Sequence, residues 1–375
     1  MVQRQGTLEG VGMKTLFGGA YRGRRVLVTG HTGFKGSWLA LWLQQLGAQV
    51  CGLALPAEGL PNHSRLLRLP LDEALVDLRD AVRVRAALRR FEPELIFHLA
   101  AQPLVRRSYR DPAGTFDTNV MGLVHLLEAV RATPSVRAVV NATTDKCYRN
   151  VETGRAFRET DDLGGHDPYS ASKACAELVS ASYRAAFLTQ DDGRGHPVAL
   201  ATARAGNVIG GGDWGEDRLI PDLVRAAIAA RPTLIRHPAA VRPWQHVLEP
   251  LAGYLCLGQQ LLADPRGAAE AWNFGPPPDA HRQVQQVIEA FADAWPAVRY
   301  AIDGAAHPHE AMSLHLDCSK AAQRLRWRAV WDLPTTLHRS AQWYRRQHEQ
   351  GALSSLDDLQ RYVADARHGG LAWAA

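Results

Sequence analysis

The sequence has 375 residues, of which 46% are hydrophobic and 22% are charged, an ordinary balance for a globular protein. No apolar run approaches the roughly 20 residues of a membrane span, and no basic and apolar leader is present, so we expect a cytoplasmic protein without membrane partners. The net charge of +5 is spread along the chain rather than clustered, which argues against nucleic-acid binding.

Strand and helix patterns alternate from residue 25 to residue 204. Residues 1–22 show no clear pattern, so we expect a flexible extension in which Met13 is an alternative start. The predicted strands are 25–30, 48–55, 73–78, 94–101, "VRAVVNATT" (136–144) and 197–204, and the predicted helices are 37–47, 80–91, 112–131 and 167–187. This alternation predicts an α/β fold, a Rossmann-like doubly wound parallel sheet with helices on both faces.

The pattern changes at Gly206, where segments become shorter and richer in glycine, proline and tryptophan. Such composition is expected of a smaller C-terminal lobe that closes over a ligand. We therefore predict a dinucleotide-binding domain over 23–205 with a returning segment at about 245–275, a substrate-binding lobe over 206–244 and 276–350, and a C-terminal tail over 351–375.

The stretch "VTGHTGFKGSW" places Gly30, Gly33 and Gly36 between the first strand and the first helix. Glycine allows a tight turn and a close approach of pyrophosphate, and the helix N-terminus offers free N–H groups. The position of the three glycines predicts a dinucleotide site made by Gly30, Thr32, Gly33, Phe34, Lys35 and Gly36.

One expected part of such a site is missing. An acid at the end of the second strand usually binds the adenosine ribose, but "GLALPAEG" has none there and Glu58 comes late. Arg65 and Arg68 follow, so NADP stays open beside NAD. Asp77 closes the third strand, where it would either meet the adenine amine or cap the next helix.

The stretch "PYSASK" puts Tyr169 and Lys173 four residues apart, on one face of a helix. A phenol is a poor base at neutral pH, because its ordinary pKa is about 10. A fixed ammonium and the positive nicotinamide ring would lower that pKa. Tyr169 could then remove a proton from an alcohol while a hydride passes to NAD.

These stretches resemble the extended short-chain dehydrogenase/reductases and, within them, the CDP-glucose 4,6-dehydratase family. The matching segments run from about Arg25 to about Leu251: "RVLVTGHTGFKGSWL", "HLAAQPLVRRSY", "TNVMGLVHLLEA", "NATTDKCY", "DPYSASKACAE", "ARAGNVIGGGDWGEDRLIPD" and "RPWQHVLEPL", with "WNFGP" beyond. The combination of "GHTGFKGSW" with "TTDKCY" is narrower than the superfamily, because most sugar-nucleotide dehydratases carry Asp-Glu where this chain has Asp145-Lys146.

The resemblance implies a redox-neutral loss of water from a nucleotide-activated hexose, for deoxysugar or O-antigen synthesis. Tyr169, supported by Lys173, would take the proton of the C4 hydroxyl, with Thr144 bonded to the same oxygen. Asp145 would protonate the departing C6 hydroxyl. Lys146 would remove the C5 proton or stabilise the enolate as a cation.

Physical chemistry constrains the Asp145–Lys146 pair. As acid and base, Asp145 needs a raised pKa and Lys146 a lowered one, whereas a direct ion pair shifts both pKa values the other way. Alternation along an extended strand would point the two side chains apart. A structural surface ion pair is the alternative.

The resemblance also implies the remaining contacts. The further cofactor contacts are Asp77, Leu78, Ala100 and Ala101, together with Tyr169 and Lys173, and the substrate contacts are Gln102, Asn119, Asn207, Arg218 and Arg242. Trp214 or Trp244 could stack on the nucleotide base, although packing in the core is the commoner fate of tryptophan. A homodimer through the helices near 112–131 and 169–187 is implied as well.

No metal site is predicted. "HPHE" (307–310) lacks a third ligand at sensible spacing, and the five scattered cysteines suggest free thiols.

The alternative functions are a dehydratase for another sugar nucleotide (dTDP-glucose or GDP-mannose), a sugar-nucleotide 4-epimerase, and a non-catalytic NAD-sensing protein. An epimerase has no use for an acid–base pair that expels water.

Overall fold

A computed structural model describes residues 12–151, 154–188, 197–303 and 314–375. The strands, in chain order, are β1 (Arg25–Thr29), β2 (Gln49–Ala54), β3 (Asp72–Leu75), β4 (Leu95–His98), β5 (Ala138–Ala142), β6 (Ala199–Ala205), β7 (Val208–Ile209), β8 (Thr233–Ile235), β9 (Val241–Pro243), β10 (Gln245–His246), β11 (Ala271–Phe274), β12 (His281–Gln283) and β13 (Tyr300–Ile302).

The α-helices are α1 (Phe34–Gln45), α2 (His63–Leu67), α3 (Ala81–Phe91), α4 (Val105–Arg110), α5 (Pro112–Phe116), α6 (Gly122–Arg131), α7 (Pro168–Tyr183), α8 (Leu219–Ile228), α9 (Leu248–Ala263), α10 (Pro265–Ala268), α11 (Val284–Ala294), α12 (Ser319–Arg324), α13 (Leu333–Gln350) and α14 (Ser355–His368). A π-helical turn, Asp117–Met121, joins α5 to α6, so residues 112–131 form the predicted long helix.

The central sheet has seven parallel strands in the order β11-β6-β5-β4-β1-β2-β3. Strands β5 and β6 are buried along their whole length, as expected when helices cover both faces of a parallel sheet. Helices α1 and α9 pack on one face, and α3 and α6 pack on the other. The predicted Rossmann-like fold is confirmed.

The strand order reverses between β1 and β4, which lie side by side although they are far apart in the chain. Ligands of doubly wound sheets bind in the crevice that such a reversal opens at the carboxyl ends of the strands. The loops that follow β1, β4 and β5 border this crevice. They contain the predicted phosphate loop and the "TTDK" stretch.

After β6 the chain forms short elements, as the change of composition at Gly206 indicates. Three two-stranded sheets pair β7 with β10, β8 with β13, and β9 with β12. Helix α13 packs against α11 and β10 on this side of the molecule.

Residues 13–21, within the predicted flexible extension, pack against the core, and the end of the predicted C-terminal tail packs beside them. Phe17 and Tyr21 are buried in the main core, and Trp373 is buried beside them. The rings of Phe17 and Trp373 stack with their centroids 5.0 Å apart. Isolated aromatic residues create no periodic signal, so the sequence pattern does not reveal this packing. Residues 1–11 lie outside the described part.

Within the described ranges, no helix is both long and apolar enough to span a membrane. The same residues contain no cluster of side chains suited to a metal ion, and "HPHE" lies outside them. All five cysteines are free thiols.

Candidate active site

The phosphate loop requires glycine at two positions. Gly30 has φ of +74°, and a Cβ there would lie 2.8 Å from the backbone nitrogen of Ala100 in the loop after β4. A Cβ at Gly36 would lie 2.1 Å from the carbonyl oxygen of Gly30. Gly33 precedes α1 without a side-chain cap, so the first N–H groups of the helix remain available. This cradle suits a pyrophosphate.

Lys35 extends from the first turn of α1 toward the catalytic end of the crevice. Its Nζ lies 6.0 Å from the ring centroid of Tyr254, for whose buried hydroxyl the described residues provide no hydrogen-bond partner. Burial lowers the pKa of Lys35 to about 8, and the charge of Arg218 acts in the same direction while Asp145 opposes the shift. The ammonium is therefore close enough to interact electrostatically with Asp145, Lys146 and Lys173, the candidate catalytic residues.

The adenosine side lacks the usual acid, as the sequence shows. Glu58 instead pairs with Arg107, with 3.6 Å between Oε2 and Nη1. Thr32 donates its hydroxyl to the carbonyl of Leu55 at 3.0 Å, which ties the phosphate loop to the end of β2. A cavity of about 280 Å³ lies beside this contact, and Arg65 is among its lining residues.

Asp77 follows β3 and is held by Arg79, whose backbone N–H and guanidinium both donate to it. The Arg79 hydrogen bond lowers the pKa of Asp77. The alternative that Asp77 caps α3 is wrong, because Asp80 accepts from the backbone of the first helical turn instead. Leu78, the next predicted contact, is buried.

Tyr169, Lys173 and Thr144 come together at the end of β5. Thr144 donates its hydroxyl to Asp145 Oδ1 at 3.0 Å, and it lies close enough to Tyr169 to lower the pKa of that phenol. Lys173 donates to the carbonyl of Ala142, the last residue of β5, at 3.2 Å. The spacing in "PYSASK" therefore places both side chains on the face of α7 that lies at the end of β5.

The pKa of Tyr169 differs from the expectation. Burial raises it to about 12, although Thr144 acts in the opposite direction. The ammonium of Lys173 is directed at a backbone carbonyl, and burial lowers its own pKa to about 8. Within the protein alone, the lysine therefore does not activate the phenol.

Asp145 and Lys146 lie together, which corrects the prediction that strand alternation separates them. β5 has already ended at Ala142, and Asp145–Cys147 form a 3-10 turn, so no alternation applies. Lys146 Nζ lies 3.6 Å from Asp145 Oδ1. The Asp145 side chain is only 2% exposed, so the pair is not a surface ion pair.

A buried network that the sequence analysis missed supports this turn. Glu177, one helical turn beyond Lys173 on α7, accepts from the hydroxyl of Thr143 and from Arg204. The Arg204 Nη2 to Glu177 Oε2 distance is 2.8 Å, and both side chains are buried. Continuing the four-residue spacing from Tyr169 through Lys173 would have pointed to Glu177.

Two predicted substrate contacts lie beside the catalytic turn. Asn207 Oδ1 is 3.4 Å from Lys146 Nζ, so Lys146 bridges Asp145 and Asn207. Arg218 donates to both carboxylate oxygens of Asp213, at 3.0 and 2.9 Å. Asp213 therefore orients the guanidinium, a role that no sequence pattern indicates.

Two other predicted substrate contacts form hydrogen bonds within the protein. Asn119 is buried, accepts from the backbone N–H of Gln102 and donates to the carbonyl of Gln102 and to Ser172. The side chain of Gln102 bonds to Leu104 and Thr115. Both residues shape the loop after β4, which contains Ala100 and the half-buried Ala101.

The remaining candidates lie in the second lobe. Arg242 is on β9, opposite Arg282 of β12. Trp244 is buried and donates to the carbonyl of Arg282, and Trp214 packs edge-on against Tyr344. Trp244 is thus a core residue, whereas Trp214 is partly buried against the core.

Comparison with known proteins agrees with this arrangement. A family model described as GDP-mannose 4,6 dehydratase matches residues 27–191. A CDP-glucose 4,6-dehydratase of Salmonella typhimurium is 48% identical over 87% of this chain and 91% of its own length. A dTDP-glucose 4,6-dehydratase of Streptomyces antibioticus is 28% identical over 85% of this chain and 92% of its own length.

Solved structures show the same fold. The dTDP-glucose 4,6-dehydratase of Streptomyces venezuelae with NAD bound has a TM-score of 0.72 at 26% identity, covering 87% of this chain and 98% of that one. The UDP-glucose 4-epimerase of Thermus thermophilus in complex with NAD has a TM-score of 0.72 at 26% identity, covering 86% and 99%. On the similarity to the Salmonella relative, the chain belongs to the CDP-glucose 4,6-dehydratase family.

Proposed function

We propose that this protein is an NAD-dependent CDP-glucose 4,6-dehydratase, which converts CDP-D-glucose to CDP-4-keto-6-deoxy-D-glucose with loss of water. The observation that carries the proposal is the buried Asp145, which lies beside Lys146 and accepts the hydroxyl of Thr144 next to Tyr169. The relative with 48% identity supports the nucleotide and the sugar.

NAD fits the crevice. The close backbone approach at Gly30 and Gly36 leaves room for no side chain there, which is what a pyrophosphate on a helix N-terminus requires. The residues that would hold it are the phosphate loop, Asp77 and the loop at Ala100 and Ala101. NAD bound there would supply a hydride acceptor for C4 of the sugar and a hydride donor for C6.

Tyr169 acts on the C4 hydroxyl. It takes the hydroxyl proton as the carbon is oxidised, and Thr144 donates to or accepts from the same oxygen. Because burial raises the pKa of Tyr169 to about 12, the phenol needs nearby positive charge before it can act as a base. Arg218, whose charge already lowers the pKa of Tyr169, is one source, and the bound nicotinamide would be another.

Asp145 and Lys146 carry out the elimination. Asp145 is buried beside Lys146, and in this proposal it protonates the departing C6 hydroxyl. Lys146 is partly exposed and bridges Asp145 and Asn207, where it takes the C5 proton or stabilises the enolate as a cation. A 4-epimerase would need neither residue.

Asn207 and Arg218 belong to the sugar-nucleotide side. Asn207 contacts the catalytic lysine, and Arg218 is fixed by Asp213 with part of its guanidinium exposed. A guanidinium held in one orientation suits the oxygens of a diphosphate. Arg242, on the neighbouring sheet of the second lobe, is the further candidate for this group.

A panel of sugar nucleotides assayed with the purified protein tests the proposal. CDP-glucose should give a 4-keto-6-deoxy product, detected by its ultraviolet absorbance in base, and deuterium placed at C4 should appear in the new methyl group. Turnover of another sugar nucleotide without turnover of CDP-glucose would contradict the substrate. Loss of the deuterium to water would contradict the hydride return.

The assembly and the location follow as further parts of the proposal. Phe116, Met121 and Leu178 are exposed apolar side chains on α5, the π-helical turn and α7, and they support a homodimer through these helices. The five free thiols support a cytoplasmic enzyme. Its product would serve deoxysugar synthesis, as for O-antigen. Light scattering of the purified protein checks the homodimer.

A further inference from the structure

A buried chain of hydrogen bonds runs from the C-terminal helices to the first turn of α1. Trp343 on α13 donates through Nε1 to Ser355 on α14 at 2.8 Å. Ser355 Oγ lies 2.8 Å from His63 Nε2, and His63 Nδ1 lies 2.8 Å from Ser37 Oγ. Ser37 donates to the carbonyl of Phe34, the first residue of α1, at 2.9 Å.

The order of donors fixes the tautomer of His63. A carbonyl oxygen can only accept, so Ser37 uses its single hydroxyl proton on Phe34 and must accept from His63 Nδ1–H. His63 Nε2 then accepts the hydroxyl proton of Ser355. Burial lowers the pKa of His63 to about 3, so the imidazole is neutral, as this pattern requires.

Ser37 is part of the phosphate loop's own bonding. Its backbone N–H donates to the carbonyl of Gly33 at 2.9 Å, and the N–H of Gly33 donates to the carbonyl of Gly30 at 3.0 Å. The Ser37 side chain therefore closes the turn that presents the free N–H groups of α1. A group that fixes Ser37 also fixes this turn.

His63 also contacts the loop on the substrate side. Gly212 has φ of +86°, and a Cβ there would lie 2.5 Å from the imidazole ring. The next residue, Asp213, holds Arg218 at 2.9 Å. The imidazole of His63 thus contacts Ser37, in the phosphate loop, and Gly212, in the loop whose Asp213 holds Arg218.

We propose that His63 is a positioning residue for the cofactor, which holds the first turn of α1 through Ser37 and links it to the C-terminal helices through Ser355. The inference rests on the proposed function, because it takes the phosphate loop as the NAD site. His63 is buried, with its two ring nitrogens on Ser37 and Ser355, and acts on the phosphate loop through Ser37.

Two substitutions of His63 separate its two hydrogen bonds. His63→Asn keeps an amide donor near the position of Nδ1 and so retains a donor to Ser37, whereas His63→Gln keeps a polar group near Nε2 and loses that donor. The full-length protein is titrated with NAD alone, followed by tryptophan fluorescence, and its thermal midpoint is measured. His368→Gln, an exposed position on α14, is the matched control.

We expect His63→Gln to weaken NAD binding about tenfold, with His63→Asn within about twofold of wild type, since one hydrogen bond to a fixed partner is involved. Ser37→Ala should weaken binding as much as His63→Gln, and the double variant should lose no more than either alone. Ser37→Ala also serves as the test if His63→Gln does not fold.

Equal loss of NAD affinity in His63→Asn and His63→Gln, in proportion to their thermal midpoints, would overturn the positioning role. Normal affinity in Ser37→Ala would overturn it as well. These outcomes leave the proposed function intact, provided that the wild-type protein binds NAD. A wild-type protein that does not bind NAD would overturn the proposed function and this inference together.

Discussion

The ammonium of Lys146 lies 3.6 Å from the carboxylate of Asp145, which is almost completely buried. Residues adjacent in sequence face the same side because the chain turns sharply after β5. The two side chains to which the proposal assigns the elimination are therefore held together by one turn of the backbone, with Asp145 buried and Lys146 partly exposed.

Replacing Lys146 by alanine should separate oxidation from elimination. The Tyr169 site is intact in Lys146→Ala, so substrate should still reduce bound NAD, seen as the near-ultraviolet absorbance of NADH. Formation of the 4-keto-6-deoxy product should fall by about 100-fold or more, the usual contribution of a general base. Product formation at the wild-type rate would remove Lys146 from the mechanism.

Replacing Tyr169 by phenylalanine should stop the reaction one step earlier. The ring still packs against its neighbours, but no hydroxyl can take the proton from the sugar. Both NADH formation and turnover should fall by about 10²–10⁴-fold. Tyr183→Phe, which removes a hydroxyl bonded to Glu128 away from the crevice, is the matched control.

Alanine should destabilise the protein more at Gly36 of the phosphate loop than at Gly33. A Cβ at Gly36 meets the Gly30 carbonyl oxygen at 2.1 Å, whereas a Cβ at Gly33 meets the same atom at 3.3 Å. Gly36→Ala must displace backbone, so we expect it to cost about 2 kcal/mol or more of unfolding free energy. Gly33→Ala should cost much less. Urea unfolding without cofactor measures both, and equal losses would contradict the loop geometry.

Glu249 should make stability depend on pH. It is buried and accepts from the backbone of Val330 and Trp331 and from Tyr362, and burial raises its pKa to about 7. The folded state thus holds the proton more tightly than the unfolded chain. The resulting stabilisation is complete below about pH 4.5 and is lost as the pH rises through about 7.

Glu249→Gln removes this proton equilibrium. Urea unfolding between pH 5 and pH 8 should show the wild type losing on the order of 3 kcal/mol more than the variant over this interval. The amide also disturbs the hydrogen bonds that Glu249 accepts, but this loss of unfolding free energy is the same at every pH. Asp358, whose pKa burial also raises to about 7, is present in both proteins and cancels in the difference. Parallel profiles would contradict the prediction.

Local sequence patterns predict much of the fold and part of the candidate site. The sequence reveals residues that one strand or one helix positions, because their spacing is short and fixed. The three loop glycines and the pair Tyr169 and Lys173 are examples. The alternation of strands and helices likewise predicts the parallel sheet, since each crossover is local in sequence.

The features of the fold and the site that the sequence does not predict depend on contacts between distant segments. Asn119 and Arg218 have side chains typical of ligand contacts, yet the first is committed to the backbone of Gln102 and the second is held by Asp213. The 3-10 turn at Asp145 breaks the strand alternation on which its predicted separation from Lys146 depended. His63 belongs to no motif, because its partners come from distant helices.

The stacking of Phe17 on Trp373 has a consequence for biosynthesis. The helix that bears the phosphate loop also packs through Trp42 on Trp373 and Tyr362, so its outer surface is covered by residues translated last among those described. The nucleotide-binding half cannot complete its packing on the ribosome before residue 374 has emerged. A nascent chain interrupted before α14 would leave Trp42 and Trp331 without Tyr362, on which both indole rings pack.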